Sequence, residues 1–292
     1  MNQRLRRVFR AARILAPLGA LLLFGCNPGG QPGDLRIQVV PNGLQATLSV
    51  NVIQFQVGTL AGLRPQAAPP GVLFQGSADG TFFASPQPWD KPAFLDDSAV
   101  YDDAAPGQPP ATTNVGTVTI AGAHITGGSA DVPWDSISGD YSSPGSFVFS
   151  NDPAGQTYTY TISGGAGIPA FTRTIMLPTT YPEATAPDLS GITSYPRKKN
   201  LLFQWKLPPA GPKSYFYLDL TPTFPNTKGI YCLLADDGSF AVSSTLLSQL
   251  SVDTYQVTLS RMILDTSTKL PGTPSTLLLI GSTDAMGFLN LQ

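Results

Sequence analysis

The residues with most chemistry to offer lie in a long Pro-rich stretch, Ala61–Asn114. It carries the carboxylate pairs Asp96-Asp97 and Asp102-Asp103 and the aromatic residues Phe82, Phe83, Trp89, Phe94 and Tyr101. Aspartate oxygens are hard donors suited to Ca²⁺, and aromatic faces suit sugar rings or peptide. Trp89, Asp96, Asp97, Tyr101, Asp102 and Asp103 are therefore the candidate ligand residues. Their spacing does not match a 12-residue calcium loop. The alternative is a covering loop whose rings plug the end of a core and whose Asp residues cap turns. Asp131, Asp135 and Asp140 around Trp134 repeat the pattern on a smaller scale. Catalytic sets are scarce. The chain holds one His, two Cys and a single Glu, Glu183. That excludes a His/Cys zinc cluster, and a glycosidase would have to use two Asp. His124 precedes Thr126-Gly127-Gly128 and reads as a turn residue. Ser194 and Lys198 are four apart in a non-helical segment. No Gly-x-Ser-x-Gly occurs. The expectation is a protein that is not an enzyme.

The elements that must position these residues read as strands. Gly and Pro number 29 and 28 in 292 residues, and 18 of the 19 acids are Asp, which disfavours a helical bundle or a doubly wound α/β fold. Tyr158, Tyr160 and Ile162 alternate with Thr157, Thr159 and Thr161, a period of two built from β-formers. Val115–Ile125, Ser146–Ser150 and Phe171–Leu177 extend the series. Asp34–Val40 and Leu44–Val57 precede it. The second of these changes apolar parity near Val52, which predicts a bulge or break there. In the Ala61–Asn114 stretch only Val72–Gln75 and Thr81–Ala84 read as strand. After a Pro-containing boundary at Tyr181–Gly191 come Leu201–Lys206, Ser214–Leu220, Gly229–Leu234, Gly238–Val242, Thr254–Ile263 and Ser275–Gly281. Asp236-Asp237-Gly238 reads as a hairpin turn. A turn or two around Ser244–Leu250 is the only helix expected after residue 25. Arg197-Lys198-Lys199 reads as a solvated strand edge.

The N-terminus reads as an address. Five Arg and no acid precede an apolar run, Ile14–Phe24, that is too short to span a bilayer. Leu23-Phe24-Gly25-Cys26 resembles the lipobox of bacterial lipoproteins. The resemblance implies cleavage after Gly25 and a diacylglycerol on the Cys26 sulfur. Asn27, in place of Asp, implies sorting to the outer membrane by the usual Gram-negative rule. Without residues 1–25 the chain keeps 12 basic and 19 acidic residues, a net charge of −7. That balance argues against nucleic acid and against headgroup electrostatics. The lipid is then the membrane contact. Cys232, in an apolar run, reads as a buried thiol.

A second resemblance lies in the C-terminal part. Leu201–Pro209 is similar to the second strand of fibronectin type III domains, with Trp205 as core anchor. Leu250–Leu259 is similar to their tyrosine-corner segment, with Tyr255 in the corner. Lipobox plus β domains also resembles uncharacterised Gram-negative envelope lipoproteins. The expected architecture is all-β, two immunoglobulin-like β-sandwich domains after a cleaved lipoprotein signal peptide and short tether. The parts are signal peptide 1–25, lipidated tether 26–34, a sandwich over 35–185 with a long loop 61–114, and a second sandwich over 186–292. The expected role is a lipid-anchored envelope protein acting as a non-catalytic structural, assembly or protein-binding module with an envelope protein or glycan as partner. The alternatives are a carbohydrate- or calcium-dependent surface module and a hydrolase with an unrecognised site. No cofactor is expected beyond the acyl groups on Cys26, with Ca²⁺ confined to the first alternative.

Overall fold

The computed structural model describes residues 43–56, 72–87, 96–102, 111–143, 147–223 and 228–292. Gly25, Cys26, Trp89, Asp103 and the expected strand Asp34–Val40 lie outside the described residues. The chain is all-β. In order, the strands are β1 (Leu44–Gln56), β2 (Val72–Gln87), β3 (Asp97–Asp102), β4 (Val118–Gly122), β5 (Ser129–Asp131) and β6 (Trp134–Asp135). Then come β7 (Asp140–Ser142), β8 (Phe147–Val148), β9 (Thr157–Ile162), β10 (Phe171–Met176), β11 (Ala184–Ala186) and β12 (Ile192–Tyr195). The last six are β13 (Leu201–Trp205), β14 (Tyr215–Pro222), β15 (Lys228–Ala235), β16 (Ser239–Val242), β17 (Asp253–Asp265) and β18 (Thr276–Leu291). Among the described residues there is one short helix, α1 (Ser244–Leu247), capped by the Ser243 hydroxyl.

One sheet of 11 strands runs through the molecule in the order β3-β15-β14-β17-β18-β1-β2-β7-β6, with β12 on β18 and β8 on β2. Two smaller sheets complete two sandwiches. β10-β9-β4-β5 faces one half and β11-β13-β16 the other. The first core joins Ala46, Leu48, Val50 and Val52 of β1 to Phe82, Ile120, Tyr158 and Tyr160. The second joins Phe216, Leu218, Tyr255, Val257 and Leu259 to Leu201, Phe203 and Trp205. Both cores lie on the same side of the large sheet. In β18 the odd positions serve both: Leu277 and Leu279 enter the first core, Leu289 and Leu291 the second.

The assignment of residues to the two sandwiches departs from a cut at 185/186 in two places. Leu270, Leu277 and Leu279 belong to the first core, and β3 pairs with β15 of the second half. Between its two core stretches β18 carries small residues, and the connecting segment lies across them. A Cβ on Gly281 would collide with the carbonyl of Met176, and one on Gly287 would come 2.8 Å from the carbonyl oxygen of Leu189. Thr283 donates from its hydroxyl to Thr180 O at 2.8 Å. These glycines therefore look like turn signals in the sequence but permit a close backbone crossing.

Four expectations need correction. The stretch 61–114 is not one loop: β2 is a single 16-residue strand. Its glycines sit under large side chains, Gly76 beneath the Phe149 ring and Gly80 beneath Leu48 and Tyr141. No bulge occurs at Val52, because β1 is held on both edges and pairs with β2 without a shift from Ala46↔Phe82 to Gln56↔Val72. The irregularity lies between Leu44 and Ala46 instead. Asp236-Asp237-Gly238 is no hairpin, since β15 pairs with β14 and β3 while β16 pairs with β13; the turn passes the chain between sheets. Finally, β18 does not stop at Gly281 but continues to Leu291, fully paired with β17.

Candidate functional site

β3 places most of the described candidate residues at the edge of the large sheet. Asp96 precedes it with a left-handed φ of 57°, and its carboxylate accepts from Ala235 N at 3.0 Å. This is turn capping, and it fastens β3 to the end of β15. Asp97 and Asp102 are its first and last residues, opposite Leu233 and Lys228. Tyr101 lies over Gly229, whose missing side chain makes the room. Its ring stacks on Tyr231 with centroids 4.0 Å apart, and its hydroxyl donates to Asp219 Oδ1 at 3.4 Å. Burial, then the charge of Asp219, then Tyr231 push the Tyr101 hydroxyl well above the usual phenol range. A ring stacked at this distance has one face already occupied.

The second Asp group is turn chemistry. Asp135 Oδ1 accepts from Ile137 N at 2.8 Å, Asp140 Oδ1 accepts from Ser138 Oγ at 2.6 Å, and Trp134 packs on Tyr141. His124 occupies a turn at φ 69°. Among the described residues no three His, Cys, Asp or Glu side chains converge as a metal site would require. Cys232 is buried in the second core and forms no disulfide.

Trp205 stacks on Phe216 at 3.8 Å between centroids. The Tyr255 hydroxyl accepts from Ser251 N at 3.0 Å, four residues upstream. That bond clamps the loop entering β17.

The sequence reading missed two polar clusters. The first is an ion pair between the sandwiches. Arg261 is 1% exposed. Its Nε donates to Asp236 Oδ2 at 2.7 Å and its Nη2 to Asp236 Oδ1 at 3.3 Å. Nη1 donates to Thr180 Oγ1 and Tyr181 O, and Nη2 also to Lys206 O. All five guanidinium protons are thus used. Asp236 also accepts from Trp205 Nε1 at 2.8 Å and from Ser214 Oγ at 2.6 Å. The cluster joins β17, the Asp236 turn, the end of β13 and the connecting segment. A signal existed: Arg261 continues the core parity of Tyr255, Val257 and Leu259, and a charge there demands a buried partner.

The second cluster lies on the opposite face of the large sheet. Ser260, Ser282, Asp284 and Ser77 are all buried there, with Asn51 among them. Ser282 Oγ is 2.9 Å from both Asn51 Oδ1 and Asp284 Oδ1, and Asn51 Nδ2 donates to Ser77 Oγ at 3.4 Å. A hydroxyl has one proton to give. Ser282 therefore donates to either Asn51 Oδ1 or Asp284 Oδ1 at any one time. Burial pushes the Asp284 carboxyl from 3.8 to about 6 against the hydrogen bonds of Ser282 and Ser260. Among the described residues of this row there is no His or Lys.

A shallow cleft of about 320 Å³ opens between the Pro208–Ser214 connection and the Asp236 turn. Its buried acid, Asp236, is spent on Arg261, and Lys213 lies 5.1 Å over the Tyr215 ring and covers that face.

No protein-family model matches this chain, and no curated protein matches it. Among solved structures it is similar to the crystal structure of chicken CNTN1 FN1-FN3 domains, at 10% identity and a TM-score of 0.21. The match covers 74% of this chain and 62% of that one, so the chain spans less than two thirds of that structure. The sandwich architecture described above rests on this chain's own strand pairing.

Proposed function

We propose that this chain is a lipid-anchored cell-envelope protein acting as a non-catalytic structural, assembly or protein-binding module. On this reading cleavage after Gly25 exposes Cys26, diacylglycerol on its sulfur holds the protein at the outer membrane, and the partner is an envelope protein or glycan. No nucleic acid is involved. The observation that supports a structural role is the shared sheet. Two sandwiches on one 11-stranded sheet, with the buried Arg261–Asp236 pair between them, make a single stiff body in place of two hinged modules. Two of the candidate ligand side chains are spent on that body: Asp96 on β15 and Tyr101 on Tyr231 and Asp219.

Cys26→Ser tests the anchor. The expected result is loss of metabolic palmitate label and release from the membrane fraction; continued membrane retention without label would refute the lipid reading. Protease shaving of intact cells then assigns the face. Digestion in whole cells places the module outside, and protection until the outer membrane is broken places it in the periplasm.

A further inference from the structure

The position of β1 has a mechanical consequence. β1, which begins at Leu44, is the first described strand after the segment through which the chain would be anchored. It lies between β18, to which it is parallel from Leu44↔Thr276 to Ile53↔Asp284, and β2, to which it is antiparallel. β18 starts beside β1 and runs on for 16 residues, about 50 Å, into the second sandwich. Its far end is held on both sides. Leu291 pairs with Asp253 of β17 and with Tyr195 of β12, and Gln292 exchanges backbone hydrogen bonds with Tyr195 and Arg197.

A load between Leu44 and the far end of β18 therefore pulls two parallel neighbours in opposite directions along a common axis. Sliding them strains every hydrogen bond between them at once. A load between Leu44 and the 270–275 loop would instead open the same pairs one after another from one end. Barrier height in the first geometry scales with the whole ladder, and in the second with a single pair. Further contacts hold β1 against sliding. Its inward side chains Ala46, Leu48, Val50 and Val52 are fully buried. Tyr160, from the facing sheet, donates to Ser49 O at 2.7 Å. Asn51 is joined to Ser77 on one side and Ser282 on the other. Beyond β18, Arg261 ties β17 to the connecting segment and the second sandwich.

We propose that β1 is a force-bearing strand: tension between an N-terminal membrane anchor and the far end of β18 is carried as shear of the β1–β18 ladder. The inference rests on the anchored reading above, but its test does not. The mature chain carrying Cys26→Ser is pulled in a single-molecule instrument with one handle at its N-terminus. The second handle is placed either after Gln292 or on a Cys introduced by Pro274→Cys in the exposed loop; Cys232 is buried and takes no handle. Forced unfolding reports the unfolding barrier along each axis. At equal loading rate, the rupture force along the axis to residue 292 is expected to exceed that along the axis to residue 274 several-fold. Equal forces, or a weaker long axis, would overturn the proposal whatever the fractionation of Cys26→Ser shows. A wrong anchor assignment would leave the force ratio intact and would remove only its link to the membrane.

Discussion

Replacing Asp284 with Asn should make the protein more stable at neutral pH, and the size of the gain should depend on pH. The wild-type carboxyl is raised from 3.8 to about 6 in the fold, with burial as the main cause. A raised carboxyl favours the neutral form, so its contribution to stability is fully present below about 3.8 and lost as pH rises through about 6. The difference of roughly two units corresponds to about 3 kcal/mol between the two limits, an order-of-magnitude figure. Asn is neutral at every pH and can keep a donor aimed at Ser282. We predict that Asp284→Asn exceeds wild type by about 2–3 kcal/mol at pH 7.5 and converges with it at pH 4. The assay is urea unfolding followed by tryptophan fluorescence, with buried Trp205 as the probe, at several pH values. Only the difference between the two proteins is read. Other aspartates titrate in the opposite sense: hydrogen bonds from Ser190 lower Asp188, and those from Ser267 and Thr268 outweigh burial to lower Asp265. Such groups lose stability as pH falls, and they cancel in the difference. A variant less stable than wild type at pH 7.5, or a difference that does not change with pH, would refute a raised Asp284 carboxyl.

Two further perturbations test the junction. Asp236→Ala leaves Arg261 buried without its counter-charge and should cost about 3–5 kcal/mol in urea unfolding, whereas changing both residues to apolar ones of similar size (Asp236→Leu with Arg261→Met) should recover a large part of it; a loss below about 1 kcal/mol for the single change would mean that water reaches the pair. Gly281→Ala places a methyl against the Met176 carbonyl at the end of β10 and should cost about 1–3 kcal/mol, while the same change at Gly43, where a Cβ meets nothing, should show only the smaller penalty of its positive φ; equal losses at the two sites would argue that the end of β10 does not lie against β18.

What the sequence disclosed and what it hid divide along range of interaction. The strands with clean alternation, such as β9 and β13, were legible because each reports only which of its own faces is buried. Helix α1 was legible from a polar cap followed by two leucines. The ends of β18 were not. Leu277 to Leu291 holds one parity throughout, but Gly281, Thr283 and Gly287 interrupt its apolar signal, because those positions face a chain crossing instead of a core. Likewise Asp96 and Tyr101 looked like ligand donors because nothing local uses them. Their partners, Ala235 and Asp219, are more than 100 residues away.

The same separation governs the large sheet as a whole. β1 has two neighbours: β2 is close in sequence, and β18 is more than 220 residues downstream, as the pair Leu44↔Thr276 shows. A β1–β2 hairpin alone is a marginal structure in water. Its buried side chains need β9 and β4 above and β18 beside them before the face is closed. Ladder pairing of such range is a slow step, since loop closure must precede the contacts that stabilise it. The strand that follows the N-terminal segment is thus fixed only when the final strand is in place. The two sandwiches therefore cannot close independently, because β18 supplies side chains to both cores.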